Sequence, residues 1–137
     1  MKFTMPPARY IDTQHDFDEL MLALADENLL AVDTESNNMY AYEGRVCLIQ
    51  LSTRTHDYII DPLAVSNLDA FGALLLDPRI EKIFHAAEYD LICLKRDYGF
   101  ELNNLFDTMF AVSVLGHDSV GLASLLEEYF GVISDKK

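Results

Sequence analysis

Two acidic residues stand where a carboxylate is costly unless something positive compensates for it. Asp33 and Glu35 are separated by one residue, directly after the apolar run at residues 29–32. In a buried β-strand they would project from the same face, with about 6.6 Å of backbone between them. No Lys or Arg lies between Arg9 and Arg45 to pair with them locally. Oxygen ligands at this spacing suit Mg²⁺ or Mn²⁺ better than zinc.

A third acidic residue, Asp90, falls on a predicted helix. It shares a stripe with Ala87, Leu91 and Leu94, so its carboxylate is expected to point inward, where an unpaired charge is again unfavourable. Spacing alone leaves ordinary explanations open for all three residues. Residues 33–38 could be a polar loop after a strand that ends early, and Asp90 could be a first-turn residue favoured by the helix dipole.

Two other polar residues are candidates of lower weight. His85 directly precedes the helix of Asp90, where it could lie near a site or serve as a hydrogen-bonded structural histidine. Asp107 has the position of an N-cap for the helix that follows it. The sequence contains no GxGxxG, GxxxxGK[ST], GxSxG or HExxH motif, so nucleotide-cradling and catalytic-triad interpretations lack support.

Hydrophobic periodicity predicts the elements that position these residues. An irregular lead-in over residues 1–10 is followed by five predicted strands, at residues 29–35, 45–52, 57–61, 80–85 and 102–106. Helices are predicted at residues 15–26, 68–77, 87–98, 108–115 and 120–130, the last of them capped by Ser119. Because three strands follow one another with short connections before helices and strands alternate, we expect a mixed α/β sheet with helices on its faces.

Length and composition exclude several classes of protein. A chain of 137 residues, half of them hydrophobic, has the length of one domain and needs no disulfide or metal to hold a core. Its 10 basic and 23 acidic residues give a net charge of −13, which argues against nonspecific electrostatic capture of nucleic acid. Cys47 and Cys93 lack zinc-site spacing, and no signal peptide or membrane span is apparent, so we expect reduced thiols and a cytoplasmic location.

Several segments, in order along the chain, resemble the ribonuclease D-like 3′–5′ exonucleases. VDTES at residues 32–36, YEGRVCLIQLST at 42–53 and DYIIDPL at 57–63 look like their first exonuclease motif. FHAAEYDLICLKRDYG at residues 84–99 resembles the second motif, and the segments at 104–111 and 119–132 resemble later landmarks. The resemblance covers residues 10–135 and favours the functional interpretation of all three carboxylates over the ordinary ones.

This family is the Tyr-type branch of the DEDD exonucleases, and the resemblance implies a ribonuclease H-like fold with a five-stranded mixed sheet. It implies two divalent cations, Mg²⁺ or Mn²⁺, bound by Asp33, Glu35 and Asp90. The implied reaction is hydrolysis of terminal phosphodiester bonds, with RNA as the expected substrate, releasing nucleoside 5′-monophosphates from the 3′ end. The oligomeric state is left open.

The resemblance also implies substrate contacts and shows one departure. Met39 matches a position where an apolar side chain wedges against the terminal base, and Tyr40, Gln50 and His85 are weaker substrate-binding candidates. The third motif of the family, a Tyr and an Asp spaced four apart, has no counterpart here, so we expect residues 1–137 to be a catalytically incomplete exonuclease domain. Two alternatives stay open: a non-catalytic RNA- or protein-binding scaffold, and a DNA-directed proofreading-type exonuclease.

Overall fold

The structure is a computed structural model that describes residues 6–37 and 44–134. Within those ranges it has six strands and five helices. The strands are β1 (Arg9–Ile11), β2 (Leu29–Asn37), β3 (Arg45–Ser52), β4 (Asp57–Ile60), β5 (Glu81–Phe84) and β6 (Leu105–Asp107). The helices are α1 (Gln14–Leu24), α2 (Asp69–Leu76), α3 (Ala87–Tyr98), α4 (Thr108–Val114) and α5 (Leu122–Phe130). Two substrate candidates, Met39 and Tyr40, lie outside the described residues.

The strands form one mixed sheet in the order β1-β4-β3-β2-β5-β6. The antiparallel meander of β2, β3 and β4 is confirmed, and β5 and β6 extend it in parallel. The expectation of five strands is wrong, because Arg9–Ile11 is a sixth strand that pairs in parallel with β4. This strand is only three residues long and closely follows Pro6 and Pro7. Three residues are too few to show the alternation of a strand, so the sequence pattern does not predict it.

One face of β2 joins the core and the other does not. Leu30 and Val32 belong to a buried cluster that also contains side chains from α1, α2 and α3. Ala31, Asp33 and Glu35 alternate with them and project from the opposite face, where they are half-buried or exposed. The strand continues to Asn37, so the polar-loop explanation for residues 33–38 does not hold over the residues that the structure describes.

The helices follow the predicted pattern with one exception. α3 ends at Gly99, which takes the left-handed conformation at a φ of 71°, and Asp107 is the N-cap of α4, both as predicted. The predicted N-cap of α5, Ser119, is wrong: the helix begins later and its N-cap is Gly121, which has no side chain to accept a hydrogen bond. None of the helices in the described ranges has the length and apolar character needed to cross a bilayer.

Candidate active site

Asp33 and Glu35 stand next to each other on the open face of β2. Asp33 lies opposite Gln50 in the antiparallel ladder, and Glu35 lies opposite Leu48 on the same strand, β3. Both carboxylates are exposed, so the expectation that they are buried is wrong. The pairing of β5 with β2 extends only to Ala31, so β5 does not flank either carboxylate. The two carboxylates therefore keep their hydration and remain accessible to a cation or a substrate.

Asp90 fills the space beside β2 where β5 has ended. Its Oδ1 accepts the backbone N–H of Thr34 at 3.1 Å and also the Thr34 hydroxyl. It is the buried carboxylate predicted from the helix stripe, with 7% of the residue exposed. A strand edge without a partner leaves backbone N–H groups unsatisfied, and Asp90 satisfies one of them. The contact joins α3 to β2 and brings a third carboxylate beside Asp33.

The carboxylates of Asp33 and Asp90 are close enough for their negative charges to repel each other. Burial raises the pKa of Asp90, and the nearby charge of Asp33 raises it further, while the hydrogen bonds from Thr34 act in the opposite direction. Within residues 6–37 and 44–134, no ion pair involves Asp33, Glu35 or Asp90. A divalent cation would therefore supply the missing positive charge.

The donor set of the three carboxylates fits divalent cations but does not form one compact shell. In the described part of the chain, the one group of three residues whose ligating atoms lie within 4.8 Å of one another is His15, Asp16 and Glu19, on the exposed side of α1. Ordinary ion pairs explain that group, because Asp16 lies 3.5 Å from Arg9, and His15 lies 3.3 Å from Glu19. The three predicted ligands are more widely spread, as carboxylates that repel one another should be.

A cleft of about 370 Å³ adjoins Asp33 and is lined by Gln50 and His85, two of the predicted substrate residues. His85 is also hydrogen-bonded, with Nδ1 at 2.8 Å from the Thr108 hydroxyl oxygen, and that hydroxyl donates to the backbone oxygen of Phe84 at 3.1 Å. Since the hydroxyl proton is already used, His85 Nδ1 is the donor and Nε2 of the neutral ring is an acceptor. His85 therefore lies near the candidate site and is also a hydrogen-bonded structural histidine, the two possibilities raised from the sequence. Its contact with a substrate stays a prediction.

Two residues of the site were missed by sequence reasoning. Thr34 holds Asp90, although the two are 56 positions apart, and only its place between the two acidic residues of DTE could have drawn attention to it. Asp107 caps α4 as predicted, but it also accepts the backbone N–H groups of Ala86 and Ala87 at the start of α3. No local sequence pattern predicts that the side chain at the end of one strand caps a helix that follows a different strand.

Comparison with known proteins gives consistent matches over nearly the whole chain. A family model described as 3′-5′ exonuclease matches residues 8–137. The exosome complex component 10 homolog of Caenorhabditis elegans is 38% identical over 141 residues, which cover 100% of this chain and 16% of the relative. The exosome complex exonuclease RRP6 of Saccharomyces cerevisiae is 36% identical over 129 residues, or 93% of this chain and 18% of the relative. This chain thus spans less than a fifth of either protein.

Solved structures agree with the sequence matches. The catalytic core of RRP6 from Trypanosoma brucei has a TM-score of 0.93 at 37% identity, covering 100% of this chain and 38% of that one. Escherichia coli RNase D, an exoribonuclease involved in structured RNA processing, has a TM-score of 0.88 at 32% identity, covering 95% and 35%. The mixed six-stranded sheet with five helices matches the ribonuclease H-like fold of these nucleases.

Proposed function

The chain belongs to the 3′–5′ exonuclease family, and from this premise we propose that its protein removes nucleotides from the 3′ end of RNA by hydrolysing the terminal phosphodiester bond. Its relatives include an exosome exonuclease and an exoribonuclease that takes part in structured RNA processing. The observation that carries the proposal is the meeting of Asp33, Glu35 and Asp90 at the edge of β2, without a cation partner in the described residues.

We propose that these three carboxylates hold two divalent cations, Mg²⁺ or Mn²⁺. Such a pair supplies a bound water of lowered pKa and stabilises both the attacking and the leaving oxygen of a phosphodiester. Asp33 would lie between the other two ligands, because Glu35 is its neighbour on the strand face and Asp90 is close enough for the two charges to interact.

The remaining residues orient the groups of the site. Thr34 holds Oδ1 of Asp90 through two hydrogen bonds, and we propose that the carboxylate faces a cation through Oδ2. Gln50 offers an amide and His85 an acceptor nitrogen to the cleft beside Asp33, where we propose that they contact the terminal nucleotide. RNA would then be held near this acidic protein through bound cations instead of a basic surface.

The cation site is tested by thermal unfolding with and without Mn²⁺. A ligand that binds only the folded state stabilises it by about 2.7 kcal/mol when present at 100 times its Kd, so Tm should rise by several degrees. The variant Asp33→Asn should lose this rise because it lacks a charged ligand. The variant Glu19→Gln alters the exposed cluster on α1 and should keep it.

Two results would contradict the proposal. Loss of the Mn²⁺ response in Glu19→Gln but not in Asp33→Asn would place the cation on α1. In the intact protein, Asp33→Asn that still releases nucleotide from 3′-labelled RNA would show that this carboxylate takes no part in the reaction. Release of nucleotide from DNA but not from RNA would show that the substrate is DNA.

A further inference from the structure

Asp107 joins the starts of two helices through one carboxylate. Its Oδ1 accepts the N–H of Met109 at 2.9 Å and that of Phe110 at 3.4 Å, in the first turn of α4. The same carboxylate accepts the N–H of Ala86 at 3.0 Å through Oδ1 and that of Ala87 at 2.8 Å through Oδ2. Two of its four hydrogen bonds are therefore made to the start of α3. This helix follows β5, whereas Asp107 is the last residue of β6.

The sheet explains how one side chain reaches both helices. β5 and β6 run in parallel, and Phe84 pairs with Asp107, the last residue of each strand. Since both strands stop at the same level, the side chain of Asp107 stands beside the turn from Phe84 into α3. A second hydrogen bond links the same turn to the start of α4, because the ring of His85 is hydrogen-bonded to the hydroxyl of Thr108, the residue after Asp107.

The turn that Asp107 holds has an unfavourable backbone conformation. Ala86 is the N-cap of α3 and has a φ of 59° and a ψ of 58°, in the left-handed region. A residue with a Cβ avoids this region because the Cβ approaches the carbonyl oxygen. Ala86 also has no side chain that could cap the helix, so the carboxylate from β6 supplies the cap that α3 lacks.

Asp90 lies in the first turn of this helix, three residues after Ala87. Its Oδ1 must stay about 3.1 Å from the N–H of Thr34 to keep its place beside β2. The first turn of a helix without a cap is the part that frays, and fraying here would move Asp90 away from Asp33.

We propose that Asp107 is a positioning residue for the cation site: by capping α3 from the neighbouring strand, it fixes Asp90 where a divalent cation needs it. This inference rests on the proposed function. The electrostatics agree with it, because burial opposes the charge of Asp107 but four backbone N–H groups outweigh it and lower the pKa of the carboxyl. Asp107 is thus an anion held at two helix N-termini and does not itself need a cation.

The variant Asp107→Ser should remove the cap of α3 and keep the cap of α4. Serine is as good an N-cap as aspartate for its own helix, so α4 keeps its cap, but the shorter side chain cannot reach Ala86 and Ala87. We expect the Kd for Mn²⁺, measured by calorimetry, to rise at least about tenfold, as is usual when a group that orients a metal ligand is removed. Amide exchange at residues 87–90 should accelerate, while exchange near the end of α3 should not.

The matched control is Thr13→Ala, which removes the side-chain cap of α1, where Thr13 accepts the N–H of Asp16 at 3.2 Å. This variant loses one helix cap far from the carboxylates and should keep the Mn²⁺ affinity of the wild type. If Asp107→Ser does not fold, Asp107→Asn keeps the size of the side chain but turns its amide NH₂ toward an N–H donor, and the same rise in Kd is expected.

The possible results separate this inference from the proposed function. An unchanged Mn²⁺ affinity in a folded Asp107 variant, with Asp33→Asn unable to bind, would overturn the positioning role and leave the cation site intact. An equal loss of affinity in Thr13→Ala would reduce the effect to general destabilisation and would also overturn it. No Mn²⁺ binding by the wild type would overturn the proposed cation site, and the role of Asp107 with it.

Discussion

Asp90 lies in surroundings that disfavour its own charge. Burial and the charge of Asp33 both raise the pKa of this carboxyl above its ordinary value. An acid whose pKa is higher in the folded state binds protons more tightly there, so its ionisation opposes folding as the pH rises through that pKa. At neutral pH without a cation, the charged form of Asp90 therefore costs stability.

Replacing Asp90 by Asn should stabilise the protein and disable the site at the same time. The amide oxygen can still accept the Thr34 N–H, and the unfavourable charge is gone, so we expect a gain of about 1 kcal/mol at pH 7, a usual size for a single stabilising substitution. Urea unfolding in metal-free buffer measures the gain. The response to Mn²⁺ should disappear, and the exposed Asp12→Asn should change neither quantity. A destabilised Asp90→Asn would contradict this account.

The predictability of the site differs from residue to residue. Spacing and periodicity make Asp33, Glu35 and Asp90 candidates, and the resemblance to a family favours the functional interpretation over the ordinary ones. The strand period correctly places the first two on one face. Their exposure could not be foreseen, since it depends on how far the pairing of β5 with β2 extends and on what packs against this face of the sheet. The contacts of Thr34 and Asp107 escaped because they connect residues 56 and 20 positions apart.

At the scale of elements, α3 connects the carboxylate site to the start of β3. Its first turn carries Asp90, and its last turn carries Arg96 and Asp97. Asp97 accepts the backbone N–H of Val46 at 2.8 Å, and Arg96 donates to the backbone oxygen of Gly44. The ladder of β2 and β3 has its irregularity at this level, between Glu35 and Ser36. One helix therefore holds both Asp90 and the strand that faces Glu35.

The variant Asp97→Ala should destabilise the protein by about 1–3 kcal/mol. Val46 is fully buried, so its N–H loses its partner without gaining water. Urea unfolding at pH 7 measures the loss. Glu101→Ala is the control, because its ion pair with Lys95 is exposed and such pairs contribute at most about 1 kcal/mol.

The effect of Asp97 should also depend on pH. The hydrogen bond from Arg96, more than any other contact, lowers the pKa of this carboxyl. A lowered folded-state pKa contributes stability above the unfolded pKa near 4, and that part is lost as the pH falls through the folded value. The wild type should therefore approach Asp97→Ala in stability as the pH is lowered to about 2, and a constant difference would argue against an ionic contribution.

Elements with a strong pattern were predicted well and short ones were not. The meander carries clear alternation, and α3 carries a helical stripe and a terminal glycine. The predicted bounds of β3 and α3 match the structure, and those of β2 and β4 differ from it by two residues and one residue. β1 has only three residues and becomes a strand by pairing with β4, a contact invisible in its own sequence. The start of α5 depends on the chain around Gly121, where Ser119 offered a good cap that the fold does not use.

At the scale of the whole molecule, the net charge of −13 should make stability depend on salt. Self-repulsion among surface carboxylates destabilises the compact state, and about 0.15 M salt shortens the reach of this repulsion to roughly 8 Å. We expect Tm to rise by a few degrees between low salt and 0.15 M NaCl. Asp33→Asn should respond to NaCl as the wild type does, but only the wild type should gain more from Mn²⁺ at equal ionic strength.

The core is also unevenly distributed along the chain. Nearly all of its buried side chains lie between Ile11 and Leu94. In the described residues, α4 has no buried residue and α5 has one, Leu125. Local opening should therefore cost least in these two helices, which amide exchange would show as the fastest exchange among the helices.

The parallel pairing of β1 with β4 has a consequence for the order of folding. Tyr10 of β1 donates its hydroxyl to Asp61, which lies 51 positions later, whereas the strands of the meander meet across short connections. Closing a long loop costs more entropy and slows the contacts that depend on it. Of the six strands in the described residues, β1 is synthesised first, yet its pairing partner β4 is not available until β2 and β3 have also been synthesised. Among the described strands, β1 therefore precedes the meander along the chain but can pair only once β4 is present.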